Sequence, residues 1–151
     1  MDTPGALHHV MARGLDRQVI FRDDRDRDDF VRRLAALAEG GAWLVYAWAL
    51  LPNHFHLLVR TAARPLARAM RSLLTGYAGS FNRRHRRTGH LFQNRYKSIV
   101  VGRWIATRIV AMRRCWAPAP VPGRTPGRWC GALAATVLAR VLDTGPSSRM
   151  A

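Results

Sequence analysis

An α+β fold of the ferredoxin-like, split β-α-β kind is what this chain of 151 residues predicts: an antiparallel sheet with both helices on one face, followed by an irregular C-terminal tail. Three observations predict it. Four segments carry extended, strand-like patterning; two stretches repeat apolar residues at helical spacing; and the order along the chain is strand, helix, strand, strand, helix, strand. The folded unit is expected over residues 1–101, with residues 102–151 as a divergent tail, partly helical and then disordered.

The first strand is Ala6 to Arg13, with Leu7, His9 and Met11 on one face and His8, Val10 and Ala12 on the other; Gly14 ends it. Gln18 to Phe21 is a short extended piece. The aspartates from Asp23 to Asp29 suit the first turn of a helix, and Phe30, Leu34, Leu37 and Ala38 follow at i, i+4, i+7 and i+8 before Gly40-Gly41 stops it. The alternating charges of that start read as a solvated helix end, with no metal site. Trp43 to Leu51 is a strand rich in aromatic and branched residues, expected to be buried on both faces. Pro52-Asn53 turns it into a second strand that ends at Arg60-Thr61, giving a hairpin. Pro65 suits a first helical position, and Leu66, Met70, Leu73, Leu74, Tyr77 and Phe81 trace one apolar stripe, with Arg68 and Arg71 on the other side. A dense basic turn, Asn82 to Gly89, leads to a last extended segment, His90 to Val101.

The hairpin carries the residues of greatest chemical interest. In Asn53-His54-Phe55-His56-Leu57-Leu58, side chains two apart share a strand face, so His54 and His56 point one way, roughly 7 Å apart at the backbone. Two such imidazoles can hold one divalent ion if further groups close the site. A His-x-His pair is equally read as two half-exposed strand histidines, and spacing alone does not choose between them.

Charge narrows the partner. Formal net charge is +16 and the sequence pI is about 11.8, which points to a polyanion. Residues 1–39 hold eight of the nine acids, and no carboxylate lies between Glu39 and Asp143. Acid–base catalysis by paired carboxylates in the central chain is therefore excluded. Of the basic residues only Lys97 is a lysine. The longest apolar run, Ala42 to Leu51, is too short to span a bilayer, and the N-terminus shows no signal-peptide pattern, so a cytoplasmic protein without membrane partners is expected. Cys115 and Cys130 form no recognisable zinc or disulfide pattern.

Taken in order, Pro4-Gly5-Ala6-Leu7-His8-His9-Val10-Met11-Ala12-Arg13-Gly14, Val19-Ile20-Phe21, Leu51 to Leu58 and Gly89-His90-Leu91-Phe92-Gln93-Asn94-Arg95-Tyr96-Lys97-Ser98 resemble the HUH single-strand DNA transposases, in particular the branch of REP-associated tyrosine transposases. The likeness covers residues 4–101. It implies metal-dependent strand cleavage and transfer on single-stranded or hairpin DNA. His54 and His56 match the histidines that hold Mg²⁺ or Mn²⁺ in that family. A tyrosine on a helix after the last strand would attack the phosphorus to give a 5′-phosphotyrosine link, and a polar residue one turn later would complete the metal site.

This chain departs from the pattern at that helix. No tyrosine follows Tyr96, and Glu, Gln, Asn and His are absent beyond it as well. Tyr96 is the only candidate substitute nucleophile near the last strand, and Tyr77 lies on the apolar helix stripe. Residues 102–151 also lack Lys and Phe and hold five of the eight prolines, the alphabet of GC-rich codons read out of frame. A frameshift near codon 101 accounts for this, with Arg128-Trp129-Cys130-Gly131 as a return to frame; an in-frame divergent tail is the alternative.

Three functions compete. The first is a strand-transferring nuclease, the second a catalytically dead DNA-binding remnant, and the third a ferredoxin-like RNA binder stacking bases on Trp43, Tyr46 or Trp48. Phosphate contacts are expected from Arg83, Arg84, Arg86, Arg87, Arg95 and Lys97, helped by Arg13 and Arg17. A homodimer is compatible with the sequence. Resequencing the gene from codon 95 onward should reveal, in another frame, a tyrosine followed one turn later by Asn, Gln or His; its absence from every frame makes the tail genuine.

Overall fold

A computed structural model describes residues 5–62, 64–102 and 130–132. The elements are β1 (Leu7–Arg13), α1 (Asp24–Glu39), β2 (Trp43–Leu51), β3 (His54–Thr61), α2 (Leu66–Arg84), β4 (Lys97–Val100) and β5 (Cys130–Ala132). The sheet runs β4-β1-β3-β2-β5, and every neighbouring pair is antiparallel. Its first four strands have the order of the predicted ferredoxin-like sandwich, with the histidine strand inside.

The alternation along each strand divides the sheet into two faces. Val10, Ala12, Val45, Leu50, Phe55, Leu57 and Val59 join Phe30 and Leu34 of α1 and Leu66, Ala69, Met70, Leu73, Tyr77 and Phe81 of α2 in one core. Phe30 sits at its centre, its ring 4.8 Å from Phe55, 5.2 Å from Tyr77 and 5.3 Å from Phe21. Both helices thus pack through the stripes that the sequence marks.

Local chemistry sets the helix ends. Asp23 caps α1, its carboxylate accepting from the Asp26 N–H at 3.1 Å. At the other end Gly41 takes φ 69°, and the N–H groups of Gly41 and Ala42 return to the carbonyls of Ala38 and Leu37. This is a Schellman close, and the left-handed position calls for glycine. The second helix starts one residue later than expected: Pro65 is extended, with ψ 139°, and serves as the cap rather than the first helical residue.

Charged groups then tie the start of α1 to the end of α2. Arg84 binds both Asp23 and Asp26, and His85 Nε2 lies 2.9 Å from Asp26, which is almost fully buried. The Arg84 guanidinium holds the Asp23 carboxyl down to about 2. Because that value lies below the ordinary one, this contribution to stability is complete above about pH 4 and is lost as pH falls through about 2.

The structure corrects several local expectations. Residues 15–17, left without an element between Gly14 and Gln18, form a 3₁₀ turn. Ile20 and Phe21 are buried without belonging to a strand; their N–H groups both go to the Pro52 carbonyl, at 2.8 and 3.0 Å. Strand β2 is not buried on both faces, since Leu44 is 56% exposed, and its pairing with β3 shifts register between Val45 and Ala47. The last extended segment shortens to β4, because Leu91 is drawn into the core and Phe92 bridges to Gly14. Strand β5 was not anticipated. The tail predicted over residues 102–151, partly helical and then disordered, lies outside the described residues apart from Gly102 and residues 130–132.

Tyr77 is 1% exposed and gives its hydroxyl proton to the Ile20 carbonyl, so burial pushes its ionisation far upward. Changing Tyr77→Phe strands that carbonyl in the core and should cost about 1–2 kcal/mol of unfolding free energy in urea titrations. An unchanged midpoint would contradict this arrangement.

Candidate metal and nucleic-acid face

The sheet face turned away from the helices carries the histidines. Strand β1 pairs with β3 so that Met11 lies opposite His56 and Arg13 opposite His54; β4 adds Lys97 opposite Met11, and β2 adds Ala49 opposite His56. Directly opposed residues share a face. His54, His56, Arg13 and Lys97 therefore meet on one surface, as does His9, which sits diagonally from His56.

The rings are in contact. Those of His54 and His56 are 5.1 Å apart and nearly perpendicular. His9 stacks on His56 at 5.2 Å with 15° between planes, and His9 Nε2 is 3.0 Å from His56 Nδ1. His54 Nδ1 is 2.7 Å from Oδ1 of Asn53. Burial, then the neighbouring rings of His9 and His54, lowers His56 to about 4. His54 is lowered by burial and by the charge of Arg13, and His9 by burial. All three are neutral at pH 7 and so retain a nitrogen lone pair, the state that metal ligation requires. The donor set fits a divalent cation held by two imidazoles. Among the described residues no group of three His, Cys, Asp or Glu side chains is arranged to hold one ion, so oxygen ligands would complete the shell.

The predicted basic residues fall into groups. Arg13 is exposed and donates Nε to Gln93 at 2.6 Å. Arg17 is exposed in a left-handed position, φ 60°. Arg87 reaches Gln18 at 2.6 Å and lies over the Phe81 ring. The backbone joins these segments at one end of the sheet, since Gly14 N–H goes to the Asn53 carbonyl, Leu15 N–H to Leu91 and Gln93 N–H to Arg13. Gly14 is required there, because a Cβ would lie 2.2 Å from the Gln18 carbonyl oxygen. Arg83, Arg86, Arg95 and Lys97 are exposed. Arg84 differs from the expectation that it meets phosphate: its guanidinium is engaged by Asp23 and Asp26.

Each of the three tyrosines has a place away from this face or within the protein. Tyr77 is in the core, Tyr96 packs partly buried against it, and Tyr46 is buried with the Arg60 guanidinium over its ring. Tyr96, the substitute nucleophile suggested by position, thus packs toward the core. His9 was missed as a member of the site. Its face within β1 was legible, but its approach to His56 depends on the long-range register of β1 against β3.

Similarity to known proteins agrees with this geometry. A REP-associated tyrosine transposase bound to a REP hairpin superposes with TM-score 0.58 at 11% identity, over 73% of this chain and 64% of that one. This chain therefore spans less than two thirds of that protein. A candidate transposase from Deinococcus radiodurans R1 gives TM-score 0.53 at 15% identity, over 78% of this chain and 95% of the other. No curated protein matches. The family model for IS200-like transposases matches residues 4–111, ten residues beyond the boundary expected at 101, and the chain belongs to that family.

Proposed function

We propose that this chain binds single-stranded or hairpin DNA across the sheet face turned away from the helices, with a divalent cation, Mg²⁺ or Mn²⁺, held by His54 and His56. The observation that carries the reading is the meeting of two neutral imidazoles with Arg13 and Lys97 on one face of the sheet. A bound ion would supply Lewis-acid polarisation of a phosphate oxygen. The cations of Arg13, Arg17, Arg95 and Lys97 attract and orient the backbone on that side, and Arg83, Arg86 and Arg87 extend the track around the basic turn.

A second reading, the DNA-binding remnant without cleavage, is favoured by the tyrosines. The 151 residues hold three, and none of them is exposed on the histidine face. Formation of a 5′-phosphotyrosine needs a phenolic oxygen beside the scissile phosphate, and this chain offers none in the described residues. On this reading, incubation with hairpin DNA and Mn²⁺ should give no covalent adduct on denaturing gels. The RNA-binding reading loses its stacking platform, because Trp43 and Tyr46 are buried and Trp48 half-buried. No helix among the described residues is long and apolar enough to cross a membrane. Strand β4, at the sheet edge among the described residues with Ile99 and Val100 exposed, offers a second copy an edge for homodimer formation.

Metal binding should be lost in the His54→Ala/His56→Ala double variant while DNA affinity holds; undiminished Mn²⁺ binding would show the pair to be structural. Lowered ring values mean that protons compete with metal later than for ordinary histidines. Mn²⁺ affinity should therefore fall at lower pH than for a pair of ordinary histidines, with His56 keeping its lone pair down to about pH 4. With Arg84 engaged internally, about five of the six turn-and-strand cations remain for phosphate. Adding Arg13 and Arg17 makes about seven contacts, so the slope of log K against log salt on single strands should be about −5, at roughly −0.7 per contact. A slope near zero would rule out the DNA reading.

A further inference from the structure

We propose that Asn53 and His9 are positioning residues that set the tautomers of His54 and His56, so that both histidines present Nε2 to the cation. The inference rests on the metal reading above and adds two residues that lie behind the ligands.

A backbone carbonyl fixes the orientation of the Asn53 amide. Asn53 Nδ2 is 3.3 Å from the carbonyl oxygen of Arg17, which can only accept. The amide nitrogen must therefore face Arg17, and the amide oxygen faces the His54 ring. That oxygen also only accepts, so the contact of 2.7 Å requires the proton on His54 Nδ1. A neutral imidazole carries one proton, hence the lone pair of His54 belongs to Nε2, the atom at the ring tip. The Arg17 carbonyl in turn is presented by the 3₁₀ turn of residues 15–17 and by Gly14, whose N–H holds the Asn53 carbonyl at 2.8 Å. One turn thus orients one ligand.

His9 Nε2 lies 3.0 Å from His56 Nδ1. One of these nitrogens donates. If His9 were the donor, His56 would carry its own proton on Nε2 and could not ligate through the ring tip. If His56 Nδ1 donates, its lone pair lies on Nε2, matching His54, and His9 spends its acceptor nitrogen on the bond. His9 is then a partner of the ligand and not a third ligand, in keeping with the absence of a three-donor cluster among the described residues. The stacked ring, at 15°, also limits rotation of His56. Partners of this kind behind metal-binding histidines fix ring orientation and raise ligand basicity, and their loss typically costs about 10–100-fold in affinity.

Two measurements test the proposal. Long-range ¹H–¹⁵N spectra of ¹⁵N-histidine-labelled, metal-free protein at neutral pH should show His54 and His56 protonated at Nδ1. An Nε2–H form of either ring overturns the assignment, whatever the metal affinity. Mn²⁺ titrations followed by electron paramagnetic resonance should show about 10–100-fold weaker binding for Asn53→Ala and His9→Phe, with recovery in Asn53→Asp and His9→Gln, which keep an acceptor. Equal affinities across the four variants would overturn the positioning role. Should a variant unfold, as its amide spectrum would reveal, the wild-type tautomers still decide. Nδ1–H tautomers in a wild-type protein that binds no Mn²⁺ would support the hydrogen-bond assignment and overturn the metal reading instead.

Discussion

The antiparallel register of β1 on β3 is the constraint from which the rest of the site follows. With Met11 opposite His56 and Arg13 opposite His54, the chain sets a cation and a third imidazole beside the histidine pair. A slip of one residue would turn His9, Met11 and Arg13 into the core and put Val10 and Ala12 on the open face. Burial opposes such a slip, since Val10 and Phe55 are wholly inaccessible to solvent. Gly14 then locks the end of the pair, because the backbone folds back so closely that no side chain fits. Core packing and site geometry are therefore one requirement expressed on two faces of the same strands.

Charge is partitioned in the same way. The acidic start of α1 does not dilute the basic surface evenly; Asp23 and Asp26 take up Arg84 and stand close to His85, while Asp29 takes up Arg32 and Arg33. These carboxylates neutralise part of the charge on the helical side, where Arg25, Arg68 and Arg71 remain exposed. The open sheet face carries Arg13 and Lys97 with no acid opposite them in the register. A polyanion approaching that face meets Arg13 and Lys97 beside the histidine pair.

Much of this was legible in the sequence because both periodicities are local. His54 and His56 share a face by their spacing alone, and the stripe from Leu66 to Phe81 marks the buried side of α2 without any knowledge of its neighbours. What could not be read depends on contacts between distant residues. Arg84 counts as a positive charge in any tally, yet its partners are 58 and 61 positions away. His9 looks like half of a His-His doublet until β1 is laid against β3. Ile20, Phe21 and Leu91 are buried by loops whose hydrogen bonds end on other loops, so no period announces them. The exposure of Leu44 and the register shift beside Tyr46 similarly reflect the fit of β2 to its neighbours and not its own apolar content.

On the proposed reading the cation and the nucleic acid share the sheet face that bears the histidines. Paramagnetic broadening by substoichiometric Mn²⁺ tests it most directly, because the effect falls steeply with distance from the ion. Signals of His9, Met11, Ala49, His54 and His56 should broaden first, and a single-stranded oligonucleotide should then perturb Arg13 and Lys97 beside them. Broadening centred on the aspartates from Asp23 to Asp29, with the histidine strand untouched, would contradict the account.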